Sequence, residues 1–355
     1  MRMTSLTAAI VTFSLAVFPA ARAVARGASA NPQGTSPKGP LSPPSAQANR
    51  PSTTSQEAAQ QEPPQAANPI QVQTTVVNVF ATVRDRKNGI VPDLTKEDFK
   101  VYEDGVEQKV TFFSKQVDMP LSLGILMDTS GSMLQILNAE QDAASRFVEE
   151  VMHKKDEAMV MTFDLDVNLL ADFSQDVALI TKAIRRATVN AAGPVITPGT
   201  VPQNTPMGTN LYDAVYLACH DELAGEAGRK ALVMLTDAED NGSKMTENEA
   251  IEAAQRADSA IHILLITDPG ATQGYGAGVA SKMAQETGGR VVNVHNEKSL
   301  EKAFDVISEE LRSQYILGYS STNTNHDGTF RKIKVEINRP DMKVLARKGY
   351  YAPSK

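Results

Sequence analysis

Asp128, Ser130 and Ser132 stand in the segment Asp128-Thr129-Ser130-Gly131-Ser132, directly after the apolar run from Leu121 to Met127. One carboxylate and two hydroxyls at the mouth of a buried strand are hard oxygen donors, which suit Mg²⁺ or Mn²⁺ rather than zinc. Alternate residues of an extended segment point the same way, so these three side chains converge if the loop stays extended before a helix begins. Gly131 would let the backbone pass close to an ion. Two further segments carry the same chemistry. Gly208-Thr209-Asn210-Leu211 precedes the periodic residues Leu211, Val215, Leu217 and Ala218, so the Thr209 hydroxyl lies where a loop enters a helix. Arg229-Lys230 leads into Ala231 to Thr236, a second buried-strand pattern, which ends in Asp237. In an open parallel sheet such loops meet at the carboxyl edge. Each segment taken singly also fits a helix cap; the three in this order point to one shared ion.

In these three segments the chain resembles the von Willebrand factor A family, whose metal-ion-dependent adhesion site reads Asp-x-Ser-x-Ser, then a Thr, then an Asp. The resemblance covers roughly residues 119 to 313 and includes the order and spacing of all three segments. It implies that Asp128, Ser130, Ser132, Thr209 and Asp237 are the metal-site positions. The family usually has Gly after the last Asp, where this chain has Ala238. That departure bears on the φ angles of the Asp237 loop.

The elements that must position these residues alternate. Leu134 to His153 is predicted as a long helix with Leu137, Ala144, Phe147, Val148 and Val151 on one stripe. Ala158 to Phe163 reads as a strand with Val167 to Phe173 as its antiparallel neighbour, and Val177 to Ala187 as a helix. Later strands fall at Ile261 to Thr267 and Val291 to Val294, with helices around Glu247 to Ala257, Val279 to Thr287 and Lys298 to Arg312. Strands alternating with helices imply an α/β fold with a doubly wound, mostly parallel sheet. Cys219, the one cysteine of the chain, lies on an apolar helix stripe and reads as core packing.

Both flanks of this unit are β in character. From Val72 to about Val117, strand-like alternation is followed by an Asn88-Gly89 turn and a short helical turn at Thr95 to Phe99. A hairpin at Glu103-Asp104-Gly105 then joins Phe99–Tyr102 to Lys109–Phe113. Asp98, Glu103 and Asp104 read as turn residues rather than a calcium cluster. After residue 313 the pattern returns to strands at Gln314 to Tyr319, Phe330 to Ile337 and Lys343 to Arg347. An isolated hairpin is marginal in water, so residues 314–355 are expected to complete the sheet begun in residues 71–118, as a smaller β-sandwich-like domain discontinuous in sequence. A bacterial, acidobacterial-type subgroup of exported A-domain proteins is similar to this whole arrangement. Leu94 to Phe99, Tyr315 to Tyr319 and Arg347 to Tyr351 match its Leu-Thr-x-x-Asp-Phe, Tyr-x-Leu-Gly-Tyr and Arg-x-Gly-Tyr-Tyr features.

Ahead of these lie Arg2, an apolar run from Ala8 to Phe18, and Ala21-Arg22-Ala23, the pattern of a secretory signal peptide over residues 1–23. The apolar stretch is too short to span a membrane comfortably, so no stable transmembrane anchor is expected. Cleavage there takes the formal net charge from −7 to −9. Residues 24–70 are rich in Pro, Ala, Gln and Ser and are expected to be a disordered tether. The acidic balance and the absence of a basic cluster argue against nucleic acid.

Catalysis is not favoured. An aspartic-protease corner needs a second carboxylate sharing its proton, and no second comparable corner is present. A serine nucleophile needs a base, and the five histidines fall in no matching frame. Glu239 and Asp240 sit on the predicted rim, and the Pro-rich stretch Asn190 to Met207 leads into Thr209 either as a specificity loop or as an inert insertion. The expected protein is exported to the periplasm or beyond and is noncatalytic. It uses a divalent ion, Mg²⁺ first and Mn²⁺ or Ca²⁺ next, to coordinate an acidic residue of a protein partner in adhesion or scaffolding. The alternative is a metal-independent structural protein of the cell envelope.

Overall fold

In the computed structural model, residues 76–115, 119–189, 208–267 and 275–354 are described. The expected signal peptide, the tether and the Asn190–Met207 stretch lie outside them. Four strands come first: β1 (Val76–Arg84), β2 (Phe99–Glu103), β3 (Val106–Gln108) and β4 (Val110–Ser114). The central unit follows with β5 (Leu121–Asp128), α1 (Leu137–Val151), β6 (Glu157–Phe163), β7 (Val167–Ser174) and α2 (Val177–Ile184). It continues through α3 (Leu211–Leu217), β8 (Arg229–Thr236), α4 (Glu247–Ala257), β9 (Ser259–Ile266), α5 (Tyr275–Thr287), β10 (Val291–Val294) and α6 (Glu297–Arg312). The chain closes with β11 (Tyr315–Ser320), β12 (Phe330–Ile337), β13 (Lys343–Ala346) and β14 (Gly349–Tyr351).

The central sheet has the order β10-β9-β8-β5-β6-β7, parallel throughout except for the antiparallel edge strand β7. Every residue of β5 is buried, which is what a strand covered on both faces requires and why its sequence is a continuous apolar run. Helices α1, α2 and α6 cover one face, where Phe147 packs on Phe304. Helices α3, α4 and α5 cover the other, with Cys219 fully buried among them. The α/β, doubly wound architecture is the one expected. The chain leaves β5 towards β6 on one side and returns to β8 on the other, so the strand order reverses at β5. The carboxyl edge beside β5 and β8 is therefore a switch point, where open α/β sheets bind ligands.

The flanking segments build two further sheets, β13-β1-β11-β4 and β14-β12-β2-β3, which share a core of Val79, Val101, Tyr315, Leu317, Tyr319 and Ile333 among others. Strand β1 pairs with β11 and β13, and β2 with β12, so residues from the two ends of the described chain are interleaved. One detail differs from the sequence expectation. The partner of β2 across the Asp104-Gly105 turn is the three-residue β3, while Val110–Ser114 crosses to the other sheet and pairs with β11. Gln108 turns inward and hydrogen-bonds Thr322, Val110 enters the core, and Lys109 between them marks the switch. Asp98, Glu103 and Asp104 do not converge. Asp98 pairs with Arg339, Glu103 lies buried against Tyr319, Tyr350 and Arg331, and Asp104 accepts from the Lys332 amide.

This β unit docks on the amino edge of the central sheet. Arg84 of β1 donates to Glu310 near the end of α6, Arg347 pairs with Asp258 at the start of β9, and Arg256 stacks over Tyr351. The carboxyl edge is left to other uses. Among the described residues, no helix is long and apolar enough to cross a membrane.

Candidate metal centre

The last residue of β5, Asp128, is fully buried. Thr129 fastens the chain beyond it to the end of β6: its amide donates to Phe163 O at 2.9 Å and its hydroxyl to Asp164 Oδ2 at 2.8 Å. Ser130 stays extended, at φ −65° and ψ 163°, and its amide donates to Asp128 Oδ1 at 2.9 Å. A single 3₁₀ turn, Gly131–Met133, then tucks Met133 into the core, and α1 starts at Leu137. That is three residues later than the helix predicted from Leu134. The delay leaves Leu134 exposed, because the turn spends its inward position on Met133.

The turn brings the hydroxyls of Ser130 and Ser132 to 3.0 Å from each other, and Ser132 Oγ donates to Asp237 Oδ2 at 2.8 Å. Four of the five residues singled out in the sequence are thus joined in one polar chain running from β5 to the loop after β8. Thr209 is attached differently. Its amide donates to Asn241 Oδ1 at 2.8 Å and its carbonyl accepts from the Asn241 amide at 3.2 Å, so it is fixed to the loop that begins at Asp237. Its hydroxyl makes no hydrogen bond among the described residues. Asn210 in turn donates to Asp164 O at 2.8 Å, which closes the ring of loops.

Sequence reasoning passed over three contributors. Thr236, the last residue of β8, donates its hydroxyl to Asp128 Oδ2 at 2.7 Å and accepts from the Ala238 amide at 2.9 Å. A Thr closing an otherwise apolar strand was the available signal. Asn241 holds Thr209, as above. Glu140, on the first turn of α1, is fully buried with both carboxyl oxygens unpartnered. It sits three residues after Leu137 and four before Ala144, on the very stripe the helix buries.

Burial pushes the Asp128 carboxyl up to about 6, against the hydrogen bonds from Ser130 and Thr236 that lower it, and the nearby Asp237 adds to the rise. Burial, with the Asp128 charge added, pushes Glu140 up to about 8. A cation beside Asp128 would oppose both effects by favouring the ionised forms. Among the described residues no three of His, Cys, Asp and Glu gather as a metal cluster, and the five candidate donors are two carboxylates and three hydroxyls. All five are hard oxygens, and several retain lone pairs not used by the internal hydrogen bonds, which fits a Mg²⁺-like ion that keeps water ligands.

Ala238 has φ +58° and is fully buried. The loop therefore does take the left-handed turn that a Gly would ease. The first turn of α5 presses on the same loop: a Cβ on Gly276 would lie 2.2 Å from Asp237 O, so only glycine fits there. On the rim, the Glu239 amide donates to Asp237 Oδ1 at 3.1 Å, while Asp240 accepts from the Tyr212 amide and the Ser243 hydroxyl.

Residues 123–239 match the family model of the von Willebrand factor type A domain. That stretch runs from within β5 to two residues past Asp237 and contains all five candidate donors. No curated protein matches the chain. Solved structures similar to it include BatB of Bacteroides thetaiotaomicron, at 20% identity over 54% of this chain and 100% of that one, with a TM-score of 0.43. The von Willebrand domain of the type V pili tip protein Mfa5 of Porphyromonas gingivalis matches at 14% identity over 55% and 96%, with a TM-score of 0.40. Proximal thread matrix protein 1 of the mussel byssus, in a form with a zinc-occupied MIDAS motif, matches at 14% over 60% and 50%, with a TM-score of 0.45.

Proposed function

We propose that this protein is an exported adhesion or scaffold protein of the bacterial A-domain subgroup. In this reading Asp128, Ser130, Ser132, Thr209 and Asp237 hold a divalent ion, Mg²⁺ by preference, and the ion takes an acidic residue of a partner protein. The observation that carries this reading is the chain of hydrogen bonds from Ser130 through Ser132 to Asp237, beside buried Asp128, at the switch point of the sheet. Two carboxylates and neutral hydroxyls leave a divalent ion with water ligands, and a partner's Asp or Glu gains most by replacing one of them. Binding is favoured over catalysis because the serine hydroxyls engage one another and Asp237, while His153, His220, His262 and His295 face Asp156, Asp221, Glu310 and Thr267.

A second reading, a metal-independent structural protein of the envelope, draws support from the internal hydrogen bonds that already satisfy Asp128. Affinity capture from envelope extract separates the two. The metal-dependent reading expects a partner retained in Mg²⁺, released by chelator and lost with Asp128→Ala. Capture indifferent to chelator and to Asp128→Ala would support the structural reading instead.

A further inference from the structure

Beside the candidate ion site lies a cavity of about 670 Å³, within the usual size range of ligand pockets. Its walls come from the β6–β7 connection, the Gly208–Leu217 segment and the loop after Asp237. Leu165, Val167, Leu217 and Met245 give it apolar sides, and Tyr216, whose ring stacks on His220, also lines it. The walls are fixed to one another. Asn210 Nδ2 donates to Leu165 O, and the Asp213 carboxylate accepts from the Lys244 and Met245 amides at 3.0 and 2.8 Å. A cavity tied together by such bonds is formed before anything enters it.

Its charge is one-sided. Asp166 and Asp213 line it against the single cation Lys244. Exposed Asp166 has no ion-pair partner among the described residues, and Asp240 accepts from the amide of Tyr212, next to Asp213 in the same helix. A second acidic side chain would meet this field unfavourably, and a small apolar one would leave Asp166 unused. A long basic side chain uses both features: its methylene stem lies along apolar wall while its charged head stays near water, beside Asp166.

We propose that this cavity receives an arginine or lysine side chain of the protein partner, so that the partner presents a carboxylate to the ion and a basic residue beside it. The recognised segment is thus of mixed charge. The proposal deepens the ion-dependent reading but has its own readout. The full chain, labelled with ¹³C at the methionine methyls, is titrated with n-butylguanidinium, and with 1-pentanol as a neutral counterpart, in Mg²⁺ and again in chelator. The Met245 methyl is assigned by Met245→Leu.

The expected result is a saturable shift of the Met245 signal by the guanidinium that binds about fivefold more tightly than the alcohol, with most of that preference lost in Asp166→Asn, since one exposed charge pair contributes little more. The shift should persist in chelator, because the cavity walls are held without the ion. Equal shifts by both probes, or a guanidinium shift unchanged in Asp166→Asn, would overturn the assignment to a basic side chain; no shift by either would remove the cavity as a site. Failure of Mg²⁺ to bind while the guanidinium shift persists would strike the ion reading alone.

Discussion

The two edges of the central sheet treat buried carboxylates in opposite ways. At the amino edge, Glu310 is fully buried and accepts from Arg84 Nε at 3.1 Å and Arg290 Nε at 2.6 Å, and Asp258 pairs with Arg347. At the carboxyl edge, Asp128 is equally buried, yet it and Asp237 receive only hydroxyls and amides and have no cationic partner among the described residues. The first arrangement neutralises its charge internally and fastens the β unit to the α/β unit. The second leaves its charge to be balanced from outside, as expected of a binding edge rather than a joint.

The largest expected effect lies at the joint. Glu310→Ala leaves two arginines without their shared carboxylate and should destabilise the protein by about 3–5 kcal/mol, as breaking a buried ion pair does. Asp128→Asn removes a buried charge that nothing internal neutralises, and should raise the stability of the ion-free protein at pH 8 by about 1–2 kcal/mol. Urea unfolding at fixed pH measures both. If the two substitutions destabilise alike, the contrast between the edges fails.

The next effect is a pH dependence. Asp128 and Glu140 both have folded-state values above their ordinary ones, about 6 against 3.8 and about 8 against 4.5. Each of these two groups therefore holds more proton in the folded protein than in the unfolded chain between its two values, and its contribution to stability falls as pH rises, whereas buried His262, lowered by its burial, works the other way below its ordinary value. The loss through Asp128 runs from roughly pH 4 to 6, and that through Glu140 from roughly pH 4.5 to 8. Unfolding midpoints collected in chelator should fall above about pH 6.5, where the Glu140 loss continues and His262 no longer opposes it. Glu140→Gln should flatten the part above pH 6, and a profile unaltered by that substitution would show that Glu140 does not cause it.

The smallest effect concerns Ala238. A left-handed residue with a Cβ costs roughly 1–2 kcal/mol, whereas burying one methyl returns about 0.8 kcal/mol and glycine adds entropy to the unfolded chain. These terms nearly cancel, so Ala238→Gly should change stability by less than about 1 kcal/mol. Thermal unfolding would detect a larger change, which would mean that the loop is strained in some other way.

Much of this was readable from residue order alone. Asp128 and Asp237 announced themselves because each closes an apolar run, and parallel strands buried on both faces leave long apolar runs, whereas Thr209 was marked by the periodic helix that it precedes. The joint was not readable: Arg84 and Glu310 are 226 residues apart, and nothing in the local pattern of either names the other. Glu140 was legible in principle as a carboxylate on an apolar helix stripe, but periodicity registers apolar residues and passes over the polar one among them. The late start of α1 was hidden because Leu134 reads as a helix residue, whereas the turn before it had already filled the inward position with Met133.

The central claim is that the carboxyl edge takes its missing positive charge as a divalent ion, and calorimetric titration of the full chain with Mg²⁺ and with Mn²⁺ tests it most directly. Saturable binding at one site is expected in the wild type, weaker binding in the Ser130→Ala, Ser132→Ala double variant, and none in Asp128→Ala that remains folded by circular dichroism. Binding by Asp128→Ala with the affinity of the wild type, or no saturable heat from the wild type with either ion, would contradict it.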